Sequence, residues 1–171
     1  MLNHHEIEEL IKSKALIKDY IDLDAQLTPN GFDLTVNQIF EFDACGALDF
    51  SNKQRLVPQG KEIPPEKESP DDKFGWWNLK PGAYRIRTNE TVNMPDDLTG
   101  VAFSRTSLLR MGCFTQNGVW DAGFKGRSEV ILVVGNPFGL KLKQNARVVQ
   151  LTFLRINAVR KGYQGVYQNL K

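Results

Sequence analysis

Histidine and cysteine are scarce in this 171-residue chain, and much catalytic chemistry goes with them. The two histidines, His4 and His5, are neighbours near the N-terminus. Adjacent residues on a helix diverge by about 100°, so this pair does not chelate one ion unaided, and a surface role suits it. A Ser-His-Asp triad would have to borrow from that terminus. Cys45 and Cys113 form neither a C-x-x-C pair nor a disulfide framework, which fits a reduced, cytoplasmic protein without a structural metal. No run approaches the roughly 18 apolar residues of a membrane span, and the charged opening "MLNHHEIEELIKSK" lacks a signal-peptide core. Walker and dinucleotide glycine loops are absent, as is the zinc-deaminase signature. Charge of one sign is lacking too: a net +2 gives no field that would draw the chain to nucleic acid or an anionic membrane.

What is present is ordinary globular material, 41% hydrophobic and 25% charged, in one domain's length. Ile7, Leu10 and Ile11 predict a short amphipathic helix within residues 3–12, and "KALIKDYIDL" another apolar turn. "FDLTVNQIFEFD" alternates as a half-buried strand does. Residues 57–74, rich in Pro and charge, predict an exposed excursion between strands. Short strand-like segments follow, separated by turn chemistry such as "KPG", "MPDD" and "NPFG". Of the pair Trp76-Trp77, alternation assigns one to the core and one to a surface. The pattern is that of an all-β sandwich or barrel.

Three polar stretches stand out. "SRTSLLRMG" packs Arg105, Thr106, Ser107 and Arg110 where a strand turns into a helical turn ended by Gly112. Such a start can cradle phosphate oxygens, or can be an ordinary Ser/Thr cap beside solvated arginines. "QNARVVQL" sets Arg147 and Gln150 on an apolar strand, with no acid nearby in sequence to pair the guanidinium. "NGVWDAGFKGRSEVILVV" places one acid, Asp121, ahead of a glycine-rich turn and a core strand.

In this order the segments resemble the family of deoxyuridine triphosphatases and deoxycytidine triphosphate deaminases. "GFDLTV" is similar to its first motif, "SRTSLLRMG" to its serine motif, "NGVWDAGFKG" to its third, "ARVVQLTF" to its fourth, and "YQGVYQ" to its C-terminal tail. "NLKPGAYRIRTNETVNMPDDLTGV" resembles the segment before the serine motif in the deaminase-like branch, so the likeness spans roughly residues 28–168.

The resemblance implies a distorted β-barrel or jelly-roll-like domain that forms a homotrimer, with nucleotide sites at subunit boundaries. It divides the chain into an N-terminal helical segment (1–27), a β core (28–158) and a mobile tail (159–171). It implies Asp121 as the general base that activates water against the α-phosphorus, releasing pyrophosphate. Phe124 falls where an aromatic packs on the sugar and leaves no room for a 2′-hydroxyl. Arg105, Thr106, Ser107 and Arg110 fall where phosphates are held, supported by Arg147 and Gln150. Thr115, Gln116 and Asn117 fall where backbone groups read the pyrimidine, and Tyr163 and Tyr167 lie in the tail. Magnesium is the implied cofactor, coordinated largely by phosphate and water, with Asp33 holding one of its waters. Trp120 is larger than the family's usual residue and is expected to reshape the pocket, and the tail lacks the triphosphatases' glycine-rich lid.

The two branches differ in one acid. The deaminase glutamate falls five residues past Gly126, where this chain has Ile131, which moves no protons. Glu129 lies two residues earlier; it is either an exposed charge at a strand's start or, if "GRSEV" contains a bulge or a slipped register, a group near the base. The expected activity is therefore hydrolysis of dUTP to dUMP. The alternatives are a dCTP deaminase, alone or combined with the hydrolase, and a non-catalytic deoxynucleotide-binding trimer.

Overall fold

Alternating sequence becomes strand along most of the chain in the computed structural model, which describes residues 1–170. The elements run α1 (His4–Lys14), β1 (Ile17–Lys18), α2 (Leu23–Gln26), β2 (Leu27–Thr28), β3 (Gly31–Glu41), β4 (Lys61–Ile63), β5 (Trp76–Leu79) and β6 (Gly82–Asn93). There follow β7 (Leu98–Ser104), α3 (Thr106–Arg110), β8 (Cys113–Gln116), β9 (Lys125–Val134), β10 (Leu140–Lys143) and β11 (Arg147–Arg155).

The main sheet has the order β7-β11-β3-β6-β9-β8, all antiparallel, with β1 added to β6 and β2 and β4 to β3. Strands β10 and β5 form a separate ribbon. The ends of the main sheet, β7 and β8, meet without a ladder. Ser104 Oγ donates to the Thr115 carbonyl at 3.0 Å and accepts its N–H at 2.8 Å, and Gly100 and Trp120 exchange backbone bonds at 2.9 Å. The sheet thus curls into the nearly closed all-β barrel the motifs implied, and closure removes edges that could pair with other chains. Phe32, Leu34, Ile39, Ile86, Leu132, Leu151 and Phe153 fill its interior.

The first helix begins with a reciprocal capping box between Asn3 and Glu6 and buries Ile7 and Ile11 against the core. The segment after it is less helical than expected. Ile17–Lys18 pairs beside β6 as a short antiparallel strand, and only the single turn of α2 follows. Strand β3 also departs from the half-buried expectation: Phe32 to Val36 are all buried. Its polar members Asp33 and Thr35 are sealed in by hydrogen bonds to Gln26 and Glu90, which alternation alone does not reveal. Trp77 is the core member of its pair, its indole N–H donating to the Ile63 carbonyl at 2.7 Å, while Trp76 is half-buried under Lys141 and Lys143. The excursion is largely exposed, but contributes β4 to the edge of β3. No helix among the described residues is long and apolar enough to cross a membrane.

Candidate active site

The link between β8 and β9 decides where Asp121 goes. Trp120 is buried, with its indole N–H donating to Ser128 Oγ at 2.7 Å and its backbone paired to Gly100. With that residue fixed inside, the next one points outward. The Asp121 side chain is exposed and makes no hydrogen bond or ion pair among the described residues, while its carbonyl accepts the Phe124 N–H at 3.0 Å to close the turn. Trp120 therefore serves as the turn's anchor as well as a wall of the pocket.

Gly123 is needed at this turn for two reasons. Its φ is +80°, and a Cβ there would lie 2.8 Å from the Gly162 Cα of the tail. The tail, expected to be mobile, lies across its own chain's turn. Tyr163 N–H donates to the Ala122 carbonyl (2.8 Å), Gln168 Nε2 to the Gly123 carbonyl (2.9 Å), and Arg127 N–H to the Leu170 carbonyl (2.9 Å). The Tyr163 ring meets Phe124 edge-on, with centroids 5.6 Å apart.

Beside this turn is a cavity of about 460 Å³ lined by Gln116, Asn117, Asp121, Phe124, Tyr163 and Tyr167. The volume is in the range of sites that enclose small ligands. Thr115 is a correction to the expected base-reading segment. It is buried, and both its backbone groups are taken by Ser104 to close the barrel, so the segment facing the cavity begins at Gln116.

Glu129 also lines this cavity, on the same face as Ile131, which corrects its reading as an exposed charge. It is no solvated charge. Its Oε1 accepts Arg87 Nε at 3.0 Å and Nη2 at 2.7 Å, and its Oε2 lies 3.6 Å from Arg85 Nε. Nor does a bulge in "GRSEV" place it there: the extra residues are on β6, between Arg87 and Thr91. The alternating arginines of "YRIR" are the sequence signal for this pairing: Arg87 lies opposite Glu129 in the ladder and Arg85 opposite Ile131. Arg85 also holds the carbonyls of Pro58 and Gln59, tying the excursion to the cavity wall.

The remaining site residues gather elsewhere. Arg105 occupies the N-cap position of α3 without a side-chain capping bond, so the ordinary Ser/Thr cap does not form. Thr106, Ser107 and Arg110 are exposed, with no side-chain partner among the described residues, and Leu108 pins the turn to the core. Gly112, at φ +72°, ends the turn as expected. Arg147 finds its missing acid across the ladder. Asp33, only 2% exposed, lies 2.9 Å from Arg105 Nε and 3.5 Å from Arg147 Nη1. Asp33 is therefore committed to two guanidinium groups, which corrects its assignment to a metal-bound water. No cluster of three potential metal-ligating side chains exists among the described residues. Arg147 also donates to the Ala25 carbonyl, and Gln150 Nε2 to Thr28 Oγ1 at 2.8 Å, so the N-terminal segment buttresses this cluster. None of these arginines or hydroxyls lines the cavity beside Asp121.

Two acids beneath the cluster are held above their ordinary values. Burial pushes up Asp33, from 3.8, against the pull of Arg105 and Arg147, and Glu90, from 4.5, against its hydrogen bonds. An acid raised by folding binds its proton more tightly in the native state. The stability that follows is present below the unfolded-state value and is lost as pH rises through the native one. The exposed pairs Glu6–Arg155 and Glu8–Lys12 act in the opposite sense. The clean observable is thus a difference. In urea titrations, the stability advantage of wild type over Glu90→Gln shrinks as pH rises from about 4.5. An advantage independent of pH would show that Glu90 does not titrate in this way.

Comparison with known proteins bears on this geometry. A crystal structure of 2′-deoxycytidine 5′-triphosphate deaminase from Agrobacterium tumefaciens superimposes with a TM-score of 0.66 at 21% identity. The match covers 91% of this chain but 48% of that one, so this chain spans about half the deaminase's length; the likeness is one of fold. A probable deoxyuridine 5′-triphosphate nucleotidohydrolase of Archaeoglobus fulgidus is 42% identical over 168 residues, covering 98% of this chain and 95% of that protein. The deoxyuridine 5′-triphosphate nucleotidohydrolase of Methanocaldococcus jannaschii is 33% identical over 143 residues, covering 84% and 87%. A family model described as dCTP deaminase-like matches residues 1–156, which include the barrel, Asp121 and the α3 cluster but not the tail tyrosines, and the chain belongs to that family.

Proposed function

We propose that the protein is a dUTP diphosphatase that releases dUMP and pyrophosphate, working as a homotrimer with sites at its subunit boundaries. The observation that carries this reading is the free carboxylate of Asp121 at a nucleoside-sized cavity. Asp121 takes a proton from a water, the water oxygen bonds to the α-phosphorus, and the bond from that phosphorus to the bridging oxygen breaks. The electron pair leaves with pyrophosphate. Gln116 and Asn117 contribute groups to the uracil edge, whose N–H lies between two carbonyl oxygens. Phe124, backed by Tyr163, covers the sugar and leaves no space for a 2′-hydroxyl. Arg105, Thr106, Ser107 and Arg110 receive the phosphates. Magnesium arrives with the triphosphate and offsets its charge; no side chain of this protein is assigned to hold it.

The separation of the two clusters supports a site shared between copies. The chain carries a base-and-water half around Asp121 and a phosphate half around α3, and the second does not open into the first. A neighbouring copy supplies the missing half. Exposed Phe103, Leu109, Met111 and Phe114 surround α3 and β8 and form the apolar contact such an assembly needs.

Glu129 at the cavity wall is the one observation that favours deamination, but its carboxylate is engaged by Arg87 while Ile131 stands at the deaminase position. A product assay with magnesium separates the readings. The expected result is dUMP from dUTP, with dCTP unchanged. Uridine nucleotides formed from dCTP would establish deamination, and binding without turnover of either would leave a nucleotide-binding trimer.

A further inference from the structure

A carboxylate sealed from solvent without a cation is costly unless donors converge on it, and Glu90 is fully buried on the inner face of β6. Three donors do converge. Gln26 Nε2 (2.7 Å) and Thr35 Oγ1 (2.6 Å) meet its Oε1, and the Thr35 backbone N–H (3.0 Å) meets its Oε2. No lysine, arginine or histidine pairs with it among the described residues. This group takes no part in the hydrolysis described above, yet it joins Gln26 and Thr35 in one buried polar network.

The network leads to the phosphate half. Gln26 Nε2 also donates to the Asp33 carbonyl at 2.9 Å, and its Oε1 accepts the N–H groups of Ile21 (2.7 Å) and Asp22 (3.0 Å). With two acceptors on one side and two donors on the other, the amide has one satisfactory orientation, and Glu90 supplies half of the reason. Holding Gln26 holds α2, whose Ala25 carbonyl receives Arg147, and the part of β3 that carries Asp33. Thr35, the other partner of Glu90, lies opposite Arg147 in the β3–β11 ladder. It also accepts Asn89 Nδ2 at 2.8 Å, and Asn89 in turn reaches Asn145 Oδ1 at 2.9 Å.

We infer that Glu90 is a positioning residue for triphosphate binding: through Gln26 and Thr35 it fixes Asp33 and α2, and through them the guanidinium groups of Arg105 and Arg147. The inference rests on reading the α3 cluster as the phosphate half. Its physical basis is preorganisation. A guanidinium already held at its binding angle surrenders less rotamer freedom when the anion arrives. Partners that orient metal ligands change metal affinity by about 10–100-fold when removed, and the same order is expected for partners that orient guanidinium groups.

Glu90→Gln leaves the shape of the site and removes its charge. The new amide puts its N–H₂ among donors, so one of the converging bonds is lost. The full-length protein is titrated with two probes, inorganic tripolyphosphate for the phosphate half and deoxyuridine for the cavity half, and dUTP kinetics are measured alongside. Glu90→Gln is expected to weaken tripolyphosphate binding about 10-fold or more and to raise KM for dUTP similarly, with deoxyuridine affinity within about twofold of wild type. Gln26→Ala, at the outer end of the network, gives the same split, and the double variant is no worse than the more affected single one. If Glu90→Gln does not fold, Gln26→Ala decides the matter alone. Equal weakening toward both probes, or unchanged tripolyphosphate affinity, would reduce Glu90 to a structural group and overturn the inference while leaving the phosphate assignment intact. Wild type that binds no tripolyphosphate would remove that assignment, and the inference with it.

Discussion

Asp121→Asn folds, binds dUTP and hydrolyses it about 10²–10⁴-fold more slowly than wild type, the span that a positioned general base contributes. Folding survives because the carboxylate is exposed and has no partner to lose; the turn is held by Trp120 and by the Asp121 carbonyl, which the substitution keeps. Binding survives for an electrostatic reason. Removing a negative charge near a polyanion relieves repulsion, so affinity for dUTP is equal or slightly tighter. The loss is confined to kcat, at roughly 2.7–5.5 kcal/mol of transition-state stabilisation. Pyrophosphate release measures the rate, and calorimetry with dUTP measures binding. A variant keeping more than about a tenth of the rate would place the base elsewhere, with Glu129 the next acid on the cavity wall. Loss of binding in step with the rate would make Asp121 a binding residue.

The sequence showed those parts of this design that depend on local pattern. The succession of short strands, the stop at Gly112 and the family likeness are legible there, because turn chemistry and motif spacing are properties of neighbours in the chain. Contacts across the barrel are not. Arg147 looked unpaired because its acid, Asp33, lies more than a hundred positions away and meets it only across a ladder. Thr115 looked like a base reader because nothing in its neighbourhood reveals that Ser104 consumes its backbone groups. Glu129 was judged by its distance along β9, whereas its arginines come from β6. Glu90 was the most legible of the missed residues. It shares a face of β6 with Ile86 and Val92, and a glutamate in register with core residues is a signal in itself.

Two inactive variants of this protein regain activity when their chains are mixed. The first is Asp121→Asn, dead in the cavity half. The second is Ser107→Ala with Arg110→Ala, dead in the phosphate half; both of its side chains are exposed and unpartnered, so the barrel is undisturbed. Each lost charge-assisted phosphate contact costs about 1.5–3 kcal/mol, so the second variant alone falls by roughly two orders of magnitude or more. If each site joins the cavity half of one chain to the phosphate half of the next, equal mixing gives both halves intact at about one boundary in four. Co-refolded chains therefore recover about a quarter of wild-type activity per chain, while the same proteins mixed without exchange of subunits recover none. Sedimentation of the refolded sample checks that trimers have formed. Trimers without recovery would mean that each chain completes its own site, which would require α3 to move into the cavity beside Asp121. The separation of the two clusters within one barrel makes the shared site the expected outcome.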